Sequence, residues 1–307
     1  MNRPDLLRRR LVQASLALPA VPLLGACAAP MPLSLSLNAT TTPAARALLM
    51  ESAQAHGLTA FQAMRDVSVS YSGEWRALIG RIQPAIVDAS FRASSEERLL
   101  LREGIVAQAH TGPGGRKQVL RRTAPAGQGE IKVWFNGEEA RDVERRSAAA
   151  IVVDNYSLFL LGPLLLVDPS WAERVSGMEI GGVEWVEDQE CDVLRLRIAP
   201  GNGFSSQDQL ALFIDRKERL MRRIRFTLDG FAGTLGAIAE TETFDHQTLH
   251  GVRWPTRFYE RVVRPIRLPA HDWRLTGLDV NRGLRISEIE GPVFSGAAAA
   301  PAARLKA

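Results

Sequence analysis

Cysteine is nearly absent: two thiols in 307 residues, Cys27 and Cys191, leave no disulfide framework, so a packed core must hold the fold. Histidine is scarce too. His56, His110 and His271 have no neighbours at ligand spacing, and His246 and His250, four apart, lie on a stretch that reads as strand end and turn, so no metal site is expected. A Gly-x-Ser-x-Gly nucleophile elbow is missing; Ser205-Ser206 lacks the strand-to-helix context, and Gly112 to Gly115 (GPGG) reads as a loop rather than a phosphate cradle. No catalytic residue and no cofactor are expected, although a triad assembled only in space would leave no trace here. An excess of one charge is also lacking. The pI near 9.4 owes much to the first 26 residues, which hold four arginines and one aspartate; without them the balance is about +1, which removes the electrostatic case for a nucleic-acid partner.

Long apolar runs occur in two places. In the first, Arg3, Arg8, Arg9 and Arg10 precede an apolar stretch from Leu11 to Leu24, which closes on Gly25 and Ala26 before Cys27, the order of an export signal. A bilayer core needs about 20 apolar residues, and Pro19 and Pro22 interrupt this shorter run. Leu24-Gly25-Ala26-Cys27 resembles a bacterial lipobox, which implies cleavage after residue 26 and a lipid on Cys27. Arg8 to Val12 resembles the twin-arginine export motif, though a basic segment on the general secretion route would read the same way. The expected layout is a signal peptide over 1–26, a lipidated flexible tether over 27–42, one domain over 43–295 and an alanine-rich disordered tail over 296–307. With Cys27 acylated, Cys191 is left alone in a strand-like run, where a single thiol is buried and inert.

Within 43–295, Pro43 can open a helix that Gly57 ends. The period then becomes two: Val67, Val69, Tyr71 and Trp75 share one face of a strand over Asp66 to Trp75. Further strand-like runs follow, among them Ala89 to Leu101, Cys191 to Ile198, Gln209 to Asp215, Leu220 to Leu228 and Val252 to Val263. With no helices between most of them, they predict an antiparallel meander and not a doubly wound parallel sheet. The second apolar run, Ser147 to Trp171, is broken on this reading by Asp154 and Asn155 and again by Gly162-Pro163, and must bury itself as short helices in the concavity of the sheet.

The strand, charged turn and returning strand of LALFIDRKERLMRRIRF (Leu210 to Phe226), followed by ETETFDHQTLHGVRWPTRF (Glu240 to Phe258), resemble the LolA/LolB superfamily of periplasmic lipoprotein carriers and outer-membrane lipoprotein receptors. The resemblance covers roughly residues 43 to 290 as an order of elements. It implies a mainly β fold with α: a half-open antiparallel β-barrel, a curved meander sheet, with an N-terminal helix and short helices filling the concave face around an apolar cavity for acyl chains. Candidate lining residues are Tyr156, Phe159, Leu160, Leu161, Leu164 and Leu165 from the apolar run, with Tyr71, Trp75, Phe135, Phe213 and Trp254 from strands; the same side chains would also fill a closed core. Arg257 and Arg261 share one side of a strand, facing either a lipid headgroup or solvent. The expectation is a non-catalytic envelope lipoprotein, periplasm-facing and at the outer membrane because Ala28 follows Cys27, that binds a lipid or acylated ligand. The alternative is a structural or regulatory protein acting through an envelope protein partner, its cavity closed.

Overall fold

The computed structural model describes residues 40–124 and 127–305. The expected signal peptide, Cys27 and the tether as far as residue 39 lie outside the described residues. Helix α1 (Pro43–Ala55) begins where the Thr42 hydroxyl accepts from the Ala45 N–H at 3.2 Å and Pro43 supplies a preset φ. It ends before Gly57, whose φ of 95° lies in the left-handed region and whose absent Cβ would sit 2.3 Å from the Gly251 carbonyl oxygen. After α2 (Leu58–Gln62), strand β1 (Asp66–Trp75) leads into the short helices α3 (Ala77–Ile82) and α4 (Pro84–Val87).

Strands β2 (Ser94–Leu100), β3 (Ile105–Gly112), β4 (Gly115–Ala124), β5 (Gly127–Phe135) and β6 (Glu138–Glu139) meander to one edge of the sheet. The apolar insert forms α5 (Val143–Leu161), α6 (Pro163–Val167) and α7 (Pro169–Ala172). The second half runs through β7 (Val175–Val186), β8 (Gln189–Ile198), β9 (Asp208–Asp215), β10 (Met221–Thr227) and β11 (Ile238–Phe244). A separate two-stranded hairpin, β12 (Gln247–Leu249) and β13 (Val252–Trp254), precedes β14 (Arg257–Arg264) and β15 (Leu268–Val280). The halves join because β15 pairs with β1, from Val67↔Val280 to Trp75↔His271, giving a 13-stranded antiparallel sheet in the order β6-β5-β4-β3-β2-β1-β15-β14-β11-β10-β9-β8-β7. Its two free edges, β6 and β7, are the strands that flank the insert.

Alternation along β8, β9 and β10 turns Leu194, Leu196 and Ile198, Leu210, Leu212 and Ile214, and Ile224 and Phe226 inward, where they meet Leu158, Phe159, Leu160 and Leu161 of α5. Asp154 and Asn155 do not interrupt the insert as expected: α5 is one 19-residue helix, capped at Asp142, whose carboxylate accepts from the Arg145 N–H. Both polar residues find partners off the helix and cost it nothing. Gly162 does end it, at φ 46° against Met221. The expected strand from Ala89 starts only at Ser94, and that over Val252 to Val263 is two strands parted at Pro255.

The tail expected to be disordered from residue 296 is instead packed. Helix α8 (Gly296–Ala299) buries Ala298 against Leu100, Leu120, Trp134 and Phe294 on the outer face of the sheet. The buried Arg98 guanidinium donates to the carbonyls of Ala298 (2.9 Å) and Ala300 (3.1 Å), and Leu278 N–H donates to Ala303 O at 2.8 Å. Composition misleads because alanine, poor in side-chain area, packs well where backbone carbonyls can serve a buried cation. Deleting residues 296–307 removes two of the partners of Arg98, which keeps Glu96, and is expected to cost about 3 kcal/mol, at roughly 1.5 for each charge-assisted bond, read as a lowered urea midpoint; an unchanged midpoint would show the tail to be ornamental.

Candidate functional site

The concave face of the sheet and the insert across it hold the residues with the most chemistry. Helix α5 is apolar all round: every residue from Ala148 to Leu161 is buried, as a helix must be when sheet surrounds it. Its two mid-helix polar residues are pegs. Asp154 takes two bonds from Arg121 of β4 (3.0 and 2.8 Å) and one from the Gly203 N–H (2.8 Å), and Asn155 accepts from Asn202 at 2.7 Å. A buried pair of this kind contributes mainly register, since losing either partner leaves an uncompensated charge.

Beside Tyr156 runs a ladder of stacked rings. His271 and Trp273, alternate residues of β15, stack at 4.5 Å; Trp75 stacks on His271 at 4.0 Å, and Phe258 and Tyr156 stack on Trp273 at 5.0 and 5.2 Å. Arg92, only 8% exposed, lies over Trp75 at 4.8 Å and Tyr156 at 5.3 Å. It donates to the Ile86 carbonyl (2.8 Å) and to the Tyr156 hydroxyl (2.9 Å), which is in turn hydrogen-bonded to His271 Nδ1 at 2.9 Å. On the adjoining strands Glu97 accepts from Tyr71 (3.5 Å) and from Gln108, whose Oε1 lies 3.3 Å from His110 Nε2.

Burial dominates the electrostatics of this cluster. It raises the Glu97 carboxyl to about 7 against the pull of Gln108 and Arg92, raises half-buried Glu260 to about 7, and drives the Tyr156 phenol upward. Burial, then Arg92, holds His271 and His110 well below the ordinary histidine range. The set is therefore a mixture of neutral imidazoles, a neutral phenol and one permanent cation. It suits binding through hydrogen bonds and stacking.

Three spaces adjoin the insert. A void of about 20 Å³ lies beside Arg92, Trp75, Tyr156 and His271. An apolar crevice of about 40 Å³, bounded by Phe61, Leu99, Leu101, Val106, Leu161 and Trp171, opens between α5–α7 and the β1–β4 side of the sheet. A wider groove of about 480 Å³ lies between α4 and the start of α5, floored by Phe91, Lys117, Phe135 and Arg145. Neither of the first two holds more than a few waters.

Tyr71, Tyr156, Phe159, Leu160, Leu161, Leu164, Leu165 and Trp254 all join one core, Trp254 reaching it from the β12–β13 hairpin. Trp75 borders it on the ring ladder. Phe135 lies apart, half-buried in the lining of the wide groove, edge-on to Phe91 at 4.9 Å. Phe213 does not join the others: it faces outward with Val186, Cys191 and Val193, under Arg223 and Arg225, because Leu212 and Ile214 take the inward positions of β9. Arg257 and Arg261 are taken up by Asp272, and by Glu240 and Glu242. Cys191 is buried, its thiol pushed up to about 12. His246 packs edge-on to His56 at 6.1 Å while His250 is exposed in a turn, and no group of three metal-ligating residues occurs among the described residues. Arg92, Glu97 and Trp273 escaped the sequence reading, and His110 and His271 stand there only as histidines without ligand spacing, although His271-Asp272-Trp273 shows the alternation that puts two rings on one face.

No protein-family model and no curated protein matches the chain. Among solved structures, it is similar to a DUF1329 family protein from Desulfovibrio piger, with a TM-score of 0.50 and 9% identity over 81% of this chain and 97% of that one. A LolA superfamily protein from Nitrosomonas europaea gives 0.49 and 10% over 80% and 96%. At such identity a likeness concerns the fold alone.

Glu97 offers a pH test. Its folded value near 7 exceeds the unfolded 4.5, so its contribution is fully present below pH 4.5 and is lost as pH rises through 7. The stability difference between wild type and Glu97→Gln should shift against the wild type by roughly 3 kcal/mol between pH 4.5 and 7.5, measured by urea unfolding; a difference independent of pH would exclude a neutral Glu97.

Proposed function

We propose that the protein is a lipid-anchored envelope protein, held through Cys27 on the periplasmic side of the outer membrane, that takes an acyl chain from a lipid or acylated protein between the insert and the sheet. The observation that carries this reading is the solvent-open apolar crevice under α5–α7, walled by Phe61, Leu99, Leu161, Leu165 and Trp171. At about 40 Å³ it is too narrow for an acyl chain as it stands, so admitting one requires the insert to shift. The architecture permits this at modest cost. The insert joins the two free edges of the sheet, α6 and α7 are single turns set off by Gly162 and Pro169, and displacing them breaks no strand pairing. Each methylene that replaces insert side chains against the sheet would recover about 0.8 kcal/mol. The ring ladder and Arg92 supply a polar end to the same concavity.

The tight filling of the concave face favours a second reading, in which the insert is a permanent core and the protein works through an envelope protein partner. Uptake of a fluorescent fatty acid separates the two. Binding at one per chain, weakened at least tenfold by Leu101→Trp at the crevice mouth, is expected for the first; no uptake by a folded protein leaves the second. The anchor is checked by radioactive palmitate, whose incorporation should vanish in Cys27→Ser.

A further inference from the structure

One end of the sheet presents a tip that is both apolar and basic. Three segments meet there: α3 with Arg76 before it, the β10–β11 loop over 228–237, and the β14–β15 turn. Gln83 Nε2 donates to Gly233 O at 2.7 Å, Arg76 N–H donates to Ala270 O at 2.9 Å, and Ile238 pairs with Arg264, so the three are tied together. Large aliphatic side chains stand in water on each: Leu78 (52% exposed), Ile82 (46%), Leu235 (71%) and Ile266 (56%). They are held outward by structure beneath them, since Ile79 of α3 is buried against Val87 and Ala270 and Phe231 of the loop is buried against Ala148 and Ile151.

Around these residues Arg76, Arg81, Arg264 and Arg267 are exposed, and the stretches 76–82, 232–236 and 264–267 contain no acidic residue. Carboxylates flank these stretches in sequence or contact: Glu74 at the end of β1, Asp229, which accepts from the Gly236 N–H at 3.0 Å, and buried Glu240, 3.8 Å from Arg267. Greasy tips among arginines, of which only Arg267 has an ion pair among the described residues, a long one with Glu240, match a surface with an anionic skin over hydrocarbon: the guanidiniums meet headgroup phosphates and the aliphatic side chains enter the interface beneath.

The chain also enters the domain from this end. Thr42 N–H donates to Met178 O, close to the start of β7, and the pairs Val175↔Ile198, Ile198↔Asp208, Leu210↔Phe226 and Thr227↔Ile238 carry the same end across to the tip. From residue 27 to residue 42 an extended chain reaches about 50 Å. Such a tether would limit distance and leave orientation free, so a second contact has something to decide.

We propose that this tip docks on an anionic phospholipid bilayer and sets the orientation of the anchored domain, whether or not the crevice takes an acyl chain. Each arginine near an anionic headgroup strengthens such docking about fivefold. The test uses the full anchored protein with a single added thiol, Leu235→Cys, Ile266→Cys or, at the opposite end in the β7–β8 turn, Asp188→Cys, each carrying an environment-sensitive dye; Cys191 is buried and stays unlabelled. In vesicles of phosphatidylethanolamine and phosphatidylglycerol containing a spin-labelled lipid, dyes at 235 and 266 are expected to be quenched several-fold more than at 188. Quenching at the tip should fall on the order of tenfold with Arg264→Glu plus Arg267→Glu, or when phosphatidylglycerol is replaced by phosphatidylcholine. Equal quenching at all three positions, or tip quenching indifferent to both changes, overturns the proposal. Fatty-acid uptake on the same samples reports separately on the crevice.

Discussion

A thirteen-stranded sheet that curls without closing leaves a broad apolar concavity, and the fold depends on what covers it. Helix α5 does so, and its sequence suits that position, with fourteen consecutive buried residues, Ala148 to Leu161, apolar enough to face sheet on every side. Because the helix has no wet face, no hydrophobic stripe can orient it. The Asp154–Arg121 and Asn155–Asn202 contacts supply the orientation instead, fixing which turn of the helix lies over which strand.

The same low-dielectric interior explains the chemistry beside α5. Around Arg92, Glu97, His110, Tyr156 and His271, burial disfavours added charge, so the acids rise and the imidazoles fall while one guanidinium remains charged. Hydrogen bonds link these groups in two chains, Arg92–Tyr156–His271 and Tyr71–Glu97–Gln108–His110. A polar cluster of this kind in the wall of an otherwise apolar concavity fixes which side chains meet there.

On the convex side the solution is different. Burial alone would raise the Glu240 carboxyl, but Arg223, Arg225 and Arg261 outweigh it and hold the group below its usual range. Arg261 bridges Glu240 and Glu242 at 2.6 Å each, so the outer face of β10, β11 and β14 is a lattice of charges rather than a second apolar layer. The C-terminal segment covers the outer face of the other half with Ile289, Phe294 and Ala298. Each face of each half is therefore closed by its own means, while apolar side chains stay in water at the tip (Leu78, Ile82, Leu235 and Ile266) and along edge strand β7 (Ile180, Val183 and Trp185).

The amino-acid sequence by itself determined the strand content, the antiparallel order and the single large apolar insert, because period-two alternation and a run of apolar residues are local properties that any compact state must respect. It determined the inward set Tyr71, Tyr156, Phe159 and Leu161 for the same reason. Tertiary structure decided the rest. Strand β9 is apolar on both faces, so only its neighbours could turn Phe213 outward and Ile214 inward. Asp154 reads as a helix breaker until Arg121, 33 residues away, is brought to meet it, and the alanine-rich tail reads as disorder until Arg98 and the outer face of β2–β5 give its carbonyls and methyls a place. Arg92 and His271 meet through Tyr156 and Trp75, from four distant segments, and nothing in the order of residues could have announced that, because contact in a core depends on position in space and not on spacing along the chain.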